Sequence, residues 1–152
     1  DVLRGVWESG RAGQVALYTG NDDHIVLDLM TSYRGLRFVG GLLGQWAVWT
    51  RHAVEMLAAI HRDPGAAQWR QVASELTDAN GAIFDVAHGF RGCISGIHEI
   101  LRRQGLLAGV WCLHPEEALS PGQLDEIDRV CAAYPHLSDD DFVARNRDRW
   151  LR

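Results

Sequence analysis

The sequence predicts an α/β unit followed by an all-helical region, and three observations lead to this prediction. Two short apolar runs, residues 15–18 and 36–39, have the length and composition of buried strands. Segments with apolar residues at three- and four-residue intervals alternate with these runs. Beyond Pro64 the helical spacing continues almost throughout. Strands that alternate with helices are typical of a parallel sheet with right-handed crossovers.

Three helices are predicted around the two strands in the first 62 residues. Their apolar positions are Val2, Leu3, Val6 and Trp7, then Ile25, Val26, Leu29 and Met30, then Trp46, Trp49, Ala53, Leu57 and Ile60. Asp22 or Asp23 is the predicted N-cap of the second helix, because a carboxylate accepts hydrogen bonds from the free amides of the first turn. The third helix is predicted to stop at Asp63-Pro64-Gly65.

The rest of the chain predicts helices and no strand. The apolar positions are Trp69, Val72, Ala73 and Leu76, then Ile94, Ile97, His98 and Leu101, then Leu124, Ile127, Val130 and Cys131. Ser120 and Pro121 are the predicted N-cap and first residue of the third of these helices. Ser138 with residues 139–141 caps a last helix toward Trp150. We therefore expect two parts, residues 1–62 and residues 63–152.

Composition excludes several classes of function. The 152 residues are 47% hydrophobic and 23% charged, with a net charge of -5, so the chain has the content of a folded domain and no cationic excess for nucleic acid. No apolar stretch reaches the ~20 residues that cross a bilayer, and no signal peptide is recognised. Cys93, Cys112 and Cys131 form no C-x-x-C pair, which predicts reduced thiols in a cytoplasmic protein and no metal site.

All 15 basic residues are arginine. Because the chain has no lysine, no Schiff base can form on it, and an amine nucleophile has to come from elsewhere.

Polar and glycine residues follow both predicted strands, where the functional face of an α/β fold lies. Gly20, Asn21, Asp22 and Asp23 follow the first strand, and Gly40-Gly41 follows the second. The carboxylates can accept hydrogen bonds from substrate hydroxyls, and the glycines can admit a carboxylate or phosphate to the backbone. The alternatives are helix capping for the aspartates and a tight turn or close strand packing for the glycines.

The sequences of these segments and their order along the chain resemble a known family. YTGNDD and FVGGLLG each stand between a strand and a helix, and HGFRGCISGIHEILRRQGLLAG and ALSPGQLDEIDRVCAAY follow. In this order the chain resembles a divergent branch of the dihydrodipicolinate synthase-like proteins, a superfamily that includes N-acetylneuraminate lyase and other pyruvate-handling aldolases. The resemblance covers most of the chain and corresponds to the C-terminal portion of such proteins.

The resemblance implies a (β/α)8 TIM barrel with a small C-terminal helical domain, in which residues 14–62 are the last two strands and their helices. A full barrel needs ~250 residues, so about six earlier strands would lie outside this chain, in the same gene or on a split chain. The family's Schiff-base lysine and its tyrosine proton shuttle would lie there too. This chain alone is then expected to be inactive, with substrate contacts from Gly20, Asp22 and Asp23 and from Gly40 and Gly41, no catalytic residue and no cofactor. Asn21 fills the variable position between Gly20 and Asp22 and is also predicted to contact the substrate.

Three functional hypotheses follow. The first is part of a class I aldolase-type lyase that acts on a pyruvate-type α-keto acid or its aldol adduct. The second is a ligand-binding or scaffold barrel without Schiff-base chemistry, whose helical tail serves as an oligomer interface. The third is a phosphate-binding barrel, since the last glycine loop holds phosphate in many barrels. An open sheet edge leads us to expect a homo-oligomer or a partner chain.

Overall fold

The computed structural model describes residues 1–42 and 44–152 and shows a mostly helical protein with one small sheet. The helices are α1 (Val2–Glu8), α2 (Ile25–Met30), α3 (Thr50–Arg62), α4 (Gln68–Ile83), α5 (Cys93–Arg103), α6 (Gln123–Ala133) and α7 (Asp140–Trp150). The strands are β1 (Leu17–Thr19), β2 (Ser32–Tyr33) and β3 (Leu36–Gly41). Short 3-10 helices occur at Gly44–Trp46, Val86–His88 and Pro135–Leu137.

The sheet has the order β1-β3-β2 and is mixed. The two strands predicted from the sequence, β1 and β3, pair in parallel, with Thr19 opposite Gly41. The third strand, β2, pairs antiparallel with β3 through a hairpin. Arg34 and Gly35 both have positive φ at this turn, the combination that a two-residue type I′ hairpin requires.

The prediction of the C-terminal part of a TIM barrel is therefore wrong. A barrel strand has parallel neighbours, whereas β3 has one parallel neighbour and one antiparallel neighbour. The α2 helix that connects β1 to the hairpin has six residues, too few to cover a barrel face. Helices supply most of the packing, and the sheet is an appendage to them.

The predicted helix starts also need correction. We predicted apolar helical positions from Trp46 onward, but α3 begins at Thr50, since Trp49 before it has a left-handed backbone. The α6 helix begins at Gln123 with Gly122 at its N-cap, so Ser120 and Pro121 lie just outside it. The N-cap of α2 is His24, without a side-chain cap, so neither predicted aspartate caps it.

One hydrophobic core includes residues from both sides of the predicted division at residue 62. Its members on the N-terminal side include Ile25, Leu29, Met56 and Ile60, and those on the C-terminal side include Leu76, Ile83, Ile100, Ile127 and Val130. The α4 helix contacts α2, α5 and α6 and forms the centre of this packing. The division at residue 62 stays a prediction. No described helix has the length and apolar character needed to cross a membrane.

Candidate ligand-binding mouth

Both predicted loops leave the sheet at the same end. Thr19 and Gly41 are partners in the parallel register, and the Leu42 amide donates to the Thr19 carbonyl at 2.9 Å. The chain after β1 and the chain after β3 therefore start side by side. We call this region the mouth, formed by residues 19–23, Gly40, Gly41, Gly44, Trp46 and Asn80.

Thr19 and Asn21 shape the first loop. The buried Thr19 hydroxyl donates to Asp28 Oδ2 at 2.5 Å and accepts from the Asn21 amide at 3.1 Å. Asn21 Oδ1 accepts from the His24 amide at 3.3 Å. These local bonds fold the chain back between β1 and α2. Asn21, one of the predicted contacts, thus has a structural task in the turn, and Gly20 beside it is exposed.

The two aspartates differ in position. Asp22 is half-buried, and its main-chain carbonyl accepts from Asn80 Nδ2 at 3.0 Å. A Cβ on Gly44 would overlap the Asp22 carboxylate, so this carboxylate reaches across to the second loop. Asp23 is exposed, and its carbonyl accepts from the Thr77 hydroxyl. Asp22 is therefore the better placed of the two to contact a ligand in the mouth.

Gly40 and Gly41 are needed because side chains lie against them. A Cβ on Gly40 would lie 2.9 Å from Cε1 of Tyr18, and a Cβ on Gly41 would overlap the indole of Trp46. Neither residue has positive φ. Aromatic rings therefore lie where a Cβ would lie at both positions, and they occupy the space that a phosphate would need.

Two buried polar atoms of the mouth lack a hydrogen-bond partner within the described part of the chain. They are the Nε1 donor of Trp46 and the Oδ1 acceptor of Asn80. An unsatisfied buried group costs about 1–3 kcal/mol, so such atoms in a native protein point to a water or a ligand. The sequence did not predict Trp46 or Asn80 as site residues. Trp46 was counted as an apolar position of the third predicted helix, and Asn80 lies beyond the last predicted apolar position of its segment, Leu76. That Asn80 lies beside Asp22, and Trp46 beside Gly41, depends on the tertiary fold.

A second polar group lies at the end of α4, and we call it the Asp85 cluster: Asp85, His88, Gly92, Ser120 and Gln123. The Asp85 carboxylate is 3% exposed and accepts from the Gly92 amide at 2.8 Å and the Ser120 hydroxyl at 2.6 Å. His88 Nδ1 lies 2.6 Å from Asp85 Oδ1. Gln123 Oε1 accepts from the Ser120 amide, and Gln123 Nε2 lies within hydrogen-bond distance of three backbone carbonyls, those of Ala82, Ile83 and Gly92.

The cysteines are poorly suited to nucleophilic chemistry. Burial raises the pKa of the Cys93 thiol, and the carboxylates of Asp22 and Asp85 raise it further. Cys112 Sγ lies 3.8 Å from His98 Nδ1, a pairing that the sequence did not predict. That same nitrogen lies 3.1 Å from the Trp111 carbonyl. A nitrogen that donates its proton to a carbonyl cannot accept one from a thiol, so the pair lacks a base.

Across residues 1–42 and 44–152, no three His, Cys, Asp or Glu side chains are arranged to hold a metal ion. The expected absence of a cofactor stays a prediction. No protein-family model, no curated protein and no solved structure matches this chain.

The Asp85 cluster predicts a pH-dependent contribution to stability. Burial raises the pKa of Asp85, but hydrogen bonds from Ser120, His88 and Gly92 outweigh it and hold that pKa below its ordinary value of 3.8. A carboxyl with a lowered folded-state pKa stabilises the fold above its unfolded pKa, and this contribution disappears as the pH falls through the folded value. We expect Asp85→Asn to lose about 2 kcal/mol near pH 7 and progressively less below about pH 4.

The measurement is urea unfolding of both proteins across this pH range. Asp23→Asn is the matched control, because the Asp23 side chain is exposed and has no hydrogen bond among the described residues. A gap between wild type and Asp85→Asn that stays constant with pH would contradict the prediction.

Proposed function

We propose that the mouth is the substrate-binding part of a lyase or aldolase that acts on a pyruvate-type α-keto acid or its aldol adduct. The observation that carries this proposal is the meeting of both predicted loops at the carboxyl end of the parallel pair β1 and β3. Ligands of open α/β sheets bind in the crevice at the carboxyl ends of the parallel strands. The resemblance to dihydrodipicolinate synthase-like proteins supplies the substrate class.

The polar atoms of the mouth suit such a ligand. An α-keto acid offers carboxylate and carbonyl oxygens, which are acceptors for the indole N–H of Trp46, a donor without a hydrogen-bond partner among the described residues. The hydroxyl of an aldol adduct is a donor, for which the Asp22 carboxylate and the Asn80 amide oxygen are acceptors. Gly41 leaves the room in which the indole sits.

The carbon–carbon bond chemistry needs a group that this chain does not contain. Class I aldolases use a lysine amine, and all 15 basic residues here are arginine. In this proposal the lysine comes from a polypeptide segment outside the 152 residues, and the chain by itself binds substrate without turning it over.

The same lack of lysine favours a second candidate, a ligand-binding protein without Schiff-base chemistry. The phosphate-binding alternative loses its support, because Tyr18 and Trp46 fill the space next to Gly40 and Gly41.

Binding is tested by titrating the chain with pyruvate and with a 4-hydroxy-2-keto acid while the Trp46 indole N–H is followed by NMR. We expect both ligands to shift this signal. Asp22→Asn should lower the affinity for the 4-hydroxy-2-keto acid, relative to that for pyruvate, by roughly 10- to 100-fold. The reason is that a hydrogen bond to a charged group contributes about 1.5–3 kcal/mol. The control Asp23→Asn should leave that ratio unchanged. If the Trp46 signal is unaffected by either ligand, the mouth is not a keto-acid site.

Chemistry is tested separately by borohydride reduction in the presence of pyruvate, using the longest natural polypeptide or complex that contains this sequence. A mass increase on one lysine supports the lyase. Binding without that increase favours the ligand-binding protein.

A further inference from the structure

The His88 imidazole is held through one nitrogen at the edge of a cavity. Its Nδ1 lies 2.6 Å from Asp85 Oδ1, and the carboxylate is ionised at neutral pH, so Nδ1 carries the proton as the donor. The neutral ring then has its lone pair on Nε2. The His88 side chain is 41% exposed, and it lines a cavity of about 520 Å³.

The support behind this imidazole exceeds what a surface ion pair has. The Asp85 carboxylate is fixed by Ser120 and Gly92, and the buried Gln123 connects both of those residues to the end of α4. Asp85 itself has a left-handed backbone, which is uncommon for a residue other than glycine. A buried carboxylate that fixes the tautomer and direction of an exposed imidazole is the arrangement that proteins use to position a general base.

The charges around the cavity define a class of ligand. Arg91, Glu116 and Glu117 line it together with His88, His114 and Ser120, and Asp85 lies directly behind His88. Two carboxylates oppose one guanidinium, and no ion pair joins these three side chains to any described residue. The cavity is therefore negative, which favours a cationic ligand.

We propose that this cavity binds a small molecule with a protonated amine and a hydroxyl group, in which Glu116 and Glu117 contact the amine and His88 Nε2 accepts the hydrogen bond from the hydroxyl. This site is separate from the mouth and does not depend on the function proposed above. In this site Asp85 is a positioning residue, because it does not touch the ligand and acts by orienting His88.

The tautomer of His88 is tested first, by long-range 15N–1H NMR of the histidine rings. His114 is an internal control in the same cavity, because its Nδ1 accepts from the Glu116 amide and its neutral ring must carry the proton on Nε2. We expect opposite tautomers for His88 and His114. Ser120→Ala retains the Asp85–His88 contact and should keep the His88 tautomer. If neutral His88 carries its proton on Nε2, Asp85 does not hold His88 in the proposed way.

The ligand class is tested with two probes of similar size, ethanolamine and glycolate, at equal ionic strength. We expect ethanolamine to shift the His88 ring signals saturably and glycolate to leave them unchanged. Glu117→Gln should lower the affinity for ethanolamine, and Arg91→Gln should raise it. Saturable shifts with glycolate alone would overturn the cationic class, and the absence of saturable shifts with both probes would overturn the site.

Discussion

Replacing Gly96 by alanine is expected to cost about 3 kcal/mol of unfolding free energy, because the added methyl group meets backbone. Gly96 is buried in α5, where α5 packs against the end of α4. A Cβ at this position would overlap the Ile83 carbonyl oxygen and lie 2.7 Å from Gln123 Nε2. A carbonyl in a helix end cannot rotate away as a side chain can, so α4 and α5 would have to separate. Denaturant unfolding measures the loss, and the melting temperature should fall by roughly 6–12 °C.

Gly81→Ala is the matched control. Gly81 lies in α4, and nothing lies within 4 Å of the position that its Cβ would take. Alanine is favoured over glycine in a helix interior by up to about 1 kcal/mol, so this variant should be as stable as the wild type or more stable. If the Gly96→Ala protein has the same melting temperature as the wild type, the contact between α4 and α5 is looser than the structure indicates.

The spacing of apolar residues predicted helices and strands well where the pattern extended over several residues. The spacing of Trp69 and Leu76 predicted α4, and both residues are buried. The two apolar runs predicted β1 and β3, and their parallel pairing is observed. The hairpin strand β2 has two residues, which is too short to show an alternating pattern, and the sequence did not predict it. The wrong fold class came from the family resemblance.

The barrel prediction was wrong for a physical reason that applies to sequence reading in general. A strand, a polar loop and a helix in succession are common to every parallel α/β crossover, so they specify a pairing without specifying the rest of the sheet. What β3 pairs with on its other edge is decided by the turn at Arg34 and Gly35. The loops after β1 and β3 still meet, because that requires the parallel pair alone.

The site residues also fall into two groups, those that the sequence made recognisable and those that it did not. Asp22 and the glycines were recognisable because they interrupt apolar runs. Asn80, Asp85 and Gln123 were not, because a single polar residue in a helical segment or at its end carries no local sign that it will be buried. Their burial depends on α4, α5 and α6 coming together, and that packing is specified by many residues at once.

Gln123→Glu tests whether the donor at this position, rather than its shape, holds the Asp85 cluster together. The substitution keeps the size of the side chain but replaces the amide donor with a carboxylate oxygen. That oxygen would face the carbonyls of Ala82, Ile83 and Gly92, and Gln123 is 2% exposed. Losing these bonds and burying a charge without a donor should cost about 3 kcal/mol or more near pH 7.

The pH dependence of this variant separates charge from packing. A buried carboxyl among acceptors has a raised folded-state pKa, so it destabilises the fold above its unfolded value of about 4.3 and less below it. The stability gap to the wild type should therefore narrow as the pH falls toward 4. Gln71→Glu, on the exposed face of α4, is the control and should cost only a few tenths of a kcal/mol, from repulsion with Glu75 one turn away. If Gln123→Glu is as mild as Gln71→Glu at pH 7, the hydrogen bonds of Gln123 do not hold the ends of α4, α5 and α6 together, and the rigid support assigned to His88 is absent.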